Sequence, residues 1–314
     1  MDTDIRAKRK GYANLTNDYM FKRLFGSEDC KDILIAFLKR VIPGADITDV
    51  RFNDKEFLGM TEEDSRVIVD ISCITSDGTH FIVEMQKARQ AWFRDRAIFY
   101  TSHPIMKQKA MAREEFRRKN DGDGRFRWNF CLTPVRLIAI ASFRIEHGTE
   151  WPEGKYHSTY RLREDEVGEP MSDKLTYTFL ELGRFNKTEE QLETPYDKWM
   201  YLFKNMADMH SRPDSFREKE FELLFEKAEL ATFTSEQFEE YQRREIMEYD
   251  YENCLDFAHD RGHAEGLTEG LAQGREEGMV AMTKKMLENG LPVEMIAKIS
   301  GLPIERINTL ATES

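Results

Sequence analysis

The stretch RVIVDISCITSDGTHFIVEMQKA, residues 66–88, decides the fold. Two apolar runs flank Ser76-Asp77-Gly78, the pattern of a β-hairpin closed by a short loop. Asp70 interrupts the first run, and Glu84 and Gln86 interrupt the second. A three-residue loop with Gly78 in the left-handed conformation sets Asp70 opposite Glu84, Ser72 opposite Ile82 and Ile68 opposite Gln86. Side chains alternate along a strand, so Asp70, Glu84 and Gln86 share one face while Ile71, Val83 and Met85 share the other. A two-residue loop would separate Asp70 from Glu84, so this reading depends on the turn.

Two carboxylates directly opposed on neighbouring strands repel. When partly buried, such a pair either raises one pKa or demands a cation. A hard divalent ion such as Mg²⁺ takes one or two carboxylates together with waters and phosphate oxygens. That combination is the metal half of a phosphodiester-cleaving site. The spacing alone leaves other readings open: both acids facing solvent on an open sheet face, or salt bridges to the arginines downstream.

At 314 residues the chain exceeds one typical domain, which predicts a globular domain with appendages. Apolar content of 40% suffices for a core, and charged content of 33% suggests long solvated helices. Cys30, Cys73, Cys131 and Cys254 form no C-x-x-C pair and read as buried, reduced thiols of a cytoplasmic protein. The first residues contain no apolar signal segment, and no run of about 18 apolar residues suggests a membrane span. The net charge is -12, but it is unevenly spread. Residues 214–278 hold 19 acidic and 7 basic side chains, whereas residues 87–127 hold 12 basic and 5 acidic ones. A near-neutral body with a basic stretch can bind phosphates, although arginines on the solvated face of a helix would look the same.

Residues 16–40 read as two helical pieces separated near Gly26-Ser27, with Pro43-Gly44 as the stop. Residues 49–57 read as a first strand and the charged TEEDS at 61–65 as a loop. After the hairpin comes a helix from about Gln90 to Lys119, with a break expected near Pro104, then a turn at NDGDG, residues 120–124. Val135–Ser142 reads as a central strand, followed by strands at 156–162 and 175–185. From Pro195 onward the pattern is helical. GHAEGLTEGLAQGREEG carries Gly262, Gly266, Gly270, Gly274 and Gly278, one glycine every four residues. Such a ridge is either a self-association seam or a frayed connector. Residues 280–312 read as short helices stopped by Gly290 and Gly301, their turn resembling a helix-turn-helix. His259 and His263 have zinc-compatible spacing but no obvious third ligand beyond Glu265. The expected divisions are a domain at 1–185, an acidic helical region at 186–260 and a glycine-repeat helix with a small helical module at 261–314.

Asp70, a hairpin and Glu84-Met85-Gln86 together resemble the PD-(D/E)XK nuclease core. NDYMFKRLFG (17–26), VDI (69–71), IVEMQ (82–86), RAIFY (96–100) and TPVRLIAIASF (133–143) make the chain similar to one branch of it, the recombination-promoting nuclease/transposase family. The likeness covers about residues 14–185. It implies an α/β fold: an αβββαβ core, a mixed central sheet flanked by helices, with an all-α C-terminal extension. It also implies a Mg²⁺-dependent DNA endonuclease, with Mn²⁺ as substitute, linked to recombination or transposase-like transactions. Asp70 and Glu84 are then the metal ligands, the Met85 carbonyl a third, and Gln86 completes the catalytic set. Gln86 stands where the wider superfamily has lysine, so the group supplying positive charge is open. Arg96 and Tyr100, four apart on one helical face, are candidates for holding phosphate, with Lys87 and Arg94 of the basic segment beside them. Lys87 should point to the opposite face from Gln86. Asp18 could add a carboxylate or serve as a cap. The expected partners are DNA and a second copy of the chain through residues 262–312, with no membrane. The competing expectation is a non-catalytic nucleic-acid- or protein-binding regulatory module that self-associates through its tail.

Overall fold

Asn17 starts the first helix. Its side-chain oxygen accepts the N–H groups of Tyr19 and Met20, satisfying donors that the first turn leaves free. The helix, α1, spans Asp18–Phe25 and buries Met20, Phe21, Leu24 and Phe25. A break at Gly26-Ser27 and a 3₁₀ turn at Glu28–Cys30 lead into α2, Lys31–Val41. This is the expected two-piece arrangement. In the computed structural model, residues 9–53, 56–57, 67–120 and 124–312 are described. The TEEDS loop and residues 121–123 of the NDGDG turn lie outside them.

The strands are β1 Val50–Phe52, β2 Glu56–Phe57, β3 Val67–Ile68, β4 Ile71–Thr75, β5 His80–Gln86, β6 Val135–Ala141, β7 His157–Tyr160 and β8 Leu175–Glu181. Six of them form one mixed sheet in the order β1-β4-β5-β6-β8-β7. The parallel β5–β6 pair is joined through α3, Phe93–Lys119. The fold is therefore α/β, with the sheet flanked by helices.

The hairpin register is the expected one: Ile71 pairs with Val83, Ser72 with Ile82, Cys73 with Phe81 and Ile74 with His80. Gly78 adopts φ +83, and the Asp77 carboxylate caps the loop by accepting the Thr79 N–H at 3.1 Å. The expected pairing of Ile68 with Gln86 does not form. Ile68 pairs instead with Glu56 in the small β2–β3 ribbon, and the strand breaks before Ile71. Another departure is α3, which passes through Pro104 without interruption. Proline removes one ladder hydrogen bond, but Pro104 is buried in the helix. Of the four cysteines expected to be buried thiols, Cys30 and Cys73 are buried, whereas Cys131, which precedes β6, and Cys254 are exposed.

Each face of the sheet has its own core. On one face Ile71, Cys73, Val83, Met85, Ile138 and Leu180 pack beneath α1, α2, α4 (Pro195–Asn205) and α5 (Lys219–Ala228). On the other, Ile82, Leu137, Ala139, Ala141 and Phe179 pack with Phe93, Ala97 and Tyr100 of α3. Helices α4 and α5 thus belong to the main core. Trp199 of α4 contacts Phe25, Phe37 and Phe221 at ring separations of 5.9, 5.5 and 5.2 Å. Accordingly the compact units are Met1–Ile246 and Met247–Ser314, and no break between them falls at the expected division at 185/186.

Helix α6, Ser235–Glu288, is continuous through all five repeat glycines, and among the described residues nothing beyond the helix's own backbone lies within 4 Å of where a Cβ would stand on them. In the second unit α7, Val293–Ser300, and α8, Ile304–Thr312, follow the caps at Gly290 and Gly301 and bury Ile296, Ile307 and Leu310. His259 and His263 are exposed, and no cluster of three metal-ligating side chains occurs among the described residues. Among the described residues no helix is long and apolar enough to cross a membrane.

Removing the Trp199 side chain leaves a cavity among the rings of Phe25, Phe37 and Phe221. Trp199→Ala should cost about 3–5 kcal/mol in urea denaturation, in one transition covering residues on both sides of position 186. Two separable transitions would assign α4 and α5 to an independent domain.

Candidate active site

Two backbone positions bring the acids together. Asp70 lies in the bend between β3 and β4, one residue outside the ladder, and its N–H donates to Glu84 Oε1 at 3.1 Å. Its carboxylate turns to the next strand, where Oδ2 accepts the Met85 N–H at 2.8 Å. In a β-strand the N–H and C=O of one residue leave on the same side, so the Met85 carbonyl faces the same edge as Asp70. Gln86 donates from Nε2 to the other oxygen of Glu84 at 3.0 Å. The sequence reading of Glu84 and Gln86 as sharing a face therefore holds. Asp70 joins them from a bend rather than from a paired strand position.

Glu84 is only 3% exposed and Gln86 8%. Burial first, and the Asp70 charge second, push the Glu84 carboxyl up to about 8. Burial also raises Asp70, against the pull of the Met85 N–H and of Lys22. Such a pair resists holding two charges at once without a cation. The donor set is two carboxylates plus a carbonyl at the same edge, with no imidazole or thiolate. That composition suits a hard, oxygen-seeking divalent ion that keeps waters and phosphate oxygens in its shell.

Sequence reasoning missed Lys22. It stands on α1 with Nζ 3.4 Å from Asp70 Oδ1 and 2.5 Å from Asp18 Oδ1. Burial presses its pKa down, yet Asp18 and Asp70 together lift it above the usual lysine value. Asp18 also meets Arg244 of α6 at 3.6 Å. It thus reaches the acidic pair through Lys22 and gives that lysine an anchor. The signal was present in NDYMFKRLFG, where Asp18 and Lys22 are four apart on one helical face. Nothing in the sequence marked Arg244.

Arg96 and Tyr100 also come to the site. Arg96 donates to the Tyr100 hydroxyl and to Gln90 Oε1, and its guanidinium lies 5.0 Å from the Tyr100 ring centre. Its charge acts on Glu84, holding that carboxyl down against burial and Asp70. Burial, then the Glu84 charge, raises the Tyr100 hydroxyl. Arg94 is not brought to the pair. Two positions away on the same helix, it points round the other side, donating to the Glu146 carbonyl at 2.8 Å and meeting His147 Nδ1 at 3.1 Å. Lys87 follows β5 and is half-buried.

Residues 15–258 match the PD-(D/E)XK nuclease family transposases. The chain belongs to that family. No curated protein and no solved structure gives a significant match. Membership supports a nuclease or transposase-like role and DNA as substrate, and the family's nucleases generally use divalent metals.

A carboxyl whose folded pKa is raised stabilises the fold below its unfolded value and loses that contribution as pH rises through the folded one. For Glu84 the window runs from its ordinary 4.5 to about 8. In metal-free buffer, wild-type thermal stability should fall across this window relative to Glu84→Gln. Parallel pH profiles of the two proteins would contradict the burial of an ionisable pair.

Proposed function

We propose that the protein is a divalent-metal-dependent DNA endonuclease that hydrolyses phosphodiester bonds in recombination or transposase-like transactions. The observation that carries this reading is the join of Asp70 to Glu84 through one backbone hydrogen bond, with both carboxyls raised by burial. Asp70, Glu84 and the Met85 carbonyl would hold Mg²⁺ or Mn²⁺. Bound there, the ion would polarise the phosphoryl oxygens and ease deprotonation of the attacking water.

The side chains divide the remaining work. With Nε2 given to Glu84, Gln86 has its carbonyl oxygen free to accept a hydrogen bond from the water and orient its lone pair at phosphorus. Gln86 carries no charge, and Lys22 supplies the positive charge from α1 instead. That ammonium opposes the charge growing on the phosphoryl oxygens. Arg96 is held at Nε and one terminal nitrogen by Tyr100 and Gln90, leaving the other terminal nitrogen for a phosphate oxygen. Lys87, Arg94 and the rest of the basic segment 87–127 engage the flanking backbone. Contacts of this kind predict strong salt dependence and little sequence preference.

The competing class is a binding module that keeps the fold without cleavage. Supercoiled plasmid with Mg²⁺ or Mn²⁺ separates the two. Wild type should nick it, and Asp70→Ala should lower the rate by at least about 10²-fold, as expected for loss of a group stabilising the transition state. Tight, metal-independent binding with no nicking would establish the module. Lys22→Met should lower kcat with little change in KM, and adding Gln86→Lys to that variant should restore part of the loss. Unchanged kcat in Lys22→Met would remove the lysine from the chemistry while leaving the nuclease reading intact.

Self-association through residues 262–312 belongs to the same reading. The exposed glycine ridge, with Leu267 and Leu271 exposed beside it, offers a close-approach surface to a second copy. Light scattering on the full chain and on a chain ending at residue 260 tests this. Equal protomer mass for both would rule out the seam.

A further inference from the structure

The face of the sheet opposite Glu84 carries a basic cleft that the nuclease chemistry does not use. Arg136 of β6 pairs in register with Thr176 of β8, and Thr178 of β8 pairs with Thr159 of β7. Alternation puts these four side chains on the face that carries Ile138 and Leu180, whereas the Glu84 face carries Leu137, Ala139 and Phe179. Arg161, just beyond β7, joins them, and Val41, Ile42 and Pro43 at the end of α2 form an apolar wall. The resulting cleft has a volume of about 450 Å³, within the range of small-molecule sites.

Its electrostatics are unbalanced. Arg136 is half-buried, and after burial its largest influence is the like charge of Arg161, which further lowers its pKa. Asp173 and Asp77 oppose this more weakly and from beyond ion-pair distance. Among the described residues neither guanidinium makes a hydrogen bond or an ion pair. Thr176 is 3% exposed, and its hydroxyl has no hydrogen-bond partner among the described residues. The Thr159 and Thr178 hydroxyls meet at 3.3 Å. Buried charges and hydroxyls are ordinarily paired. Two neighbouring guanidinia without a carboxylate match a tetrahedral oxyanion, which accepts bidentate N–H donation.

We propose that this cleft binds a phosphoryl group, with Arg136 and Arg161 as its donors and the apolar wall receiving the ring or base attached to it. The site is independent of the nuclease reading, since Arg136, Thr176 and Thr178 face the opposite side of the sheet from Glu84. A phosphoryl group could arrive on a free mononucleotide or on a DNA strand, and the test separates these sources.

Thermal shift is measured on the full chain with inorganic phosphate, thymidine monophosphate, thymidine and a short duplex. The variants are Arg136→Gln, Arg161→Gln and Asp70→Ala. Thymidine monophosphate at millimolar concentration should raise Tm by a few degrees and thymidine should not. Both arginine variants should lose the shift and Asp70→Ala should keep it. Without ligand, Arg136→Gln should melt no lower than wild type, because it removes an unpaired repulsion. A shift given only by the duplex, and lost in Arg136→Gln, would assign the phosphoryl group to DNA. No shift with any phosphate-bearing probe would overturn the proposal. So would a shift that survives in Arg136→Gln, or a ligand-free Arg136→Gln that melts well below wild type, since Arg136 would then have a partner within the fold.

Discussion

Glu84 is the pivot of the molecule. Its carboxyl sits almost out of water at the end of a central strand, one oxygen on the Asp70 N–H and the other on the Gln86 amide. A carboxyl in that position is costly to ionise, and a second acid beside it raises the cost further. The hairpin turn enforces the arrangement. Gly78 takes up a left-handed conformation, and the Asp77 side chain caps the loop, so the strands cannot slip by one residue without sending Glu84 to the opposite face. A local backbone preference in three residues thereby determines whether two distant acids meet.

Positive charge comes to this pivot from two helices on opposite sides of the sheet. Lys22 arrives from α1, whose direction is set by the Asn17 cap and by burial of Phe21 and Phe25. Arg96 arrives from α3, which Phe93, Ala97 and Tyr100 seat on the other face. A lysine in the strand at position 86 would put its charge directly beside Glu84. Here the strand offers a neutral amide, and the charge depends on helix packing instead. The site is therefore coupled to the main core: displacing α1 would move Lys22 even with the hairpin intact.

The chain divides its stability unevenly. Residues up to Ile246 share two layered cores around the sheet. The unit from Met247 onward buries few side chains, chiefly Ile296, Ile307 and Leu310. Through its middle, α6 has glycine at every fourth position, each costing about 1 kcal/mol relative to alanine in an isolated helix. Among the described residues of its own unit, none lies within 4 Å of where a Cβ would stand on those glycines. The contrast with the dense aromatic packing around Trp199 makes this second unit less self-supporting than the first.

Much of this was legible in the residues. The turn signature and the two-residue period of side chains along a strand were enough to derive the hairpin register and the shared face of Glu84 and Gln86, and the apolar run at Val135–Ser142 marked the central strand. Helical spacing put Arg96 and Tyr100 on one face, and the family resemblance implied that this face lies beside the site. What the sequence could not reveal were outcomes of competition between distant segments. Ile68 had two possible partners, Gln86 and Glu56, and the β2–β3 ribbon won. Helices α4 and α5 looked like an appendage because their amphipathic faces do not say which surface they cover; packing against Phe25 and Phe37 drew them into the core. Lys22, Arg244 and the Arg136–Arg161 pair acquire their meaning only when strands and helices far apart in the chain are set side by side. Local periodicity determines secondary structure and facing, because it is written within a few residues. Which faces meet is settled by burial over the whole molecule, and that step exists only in three dimensions.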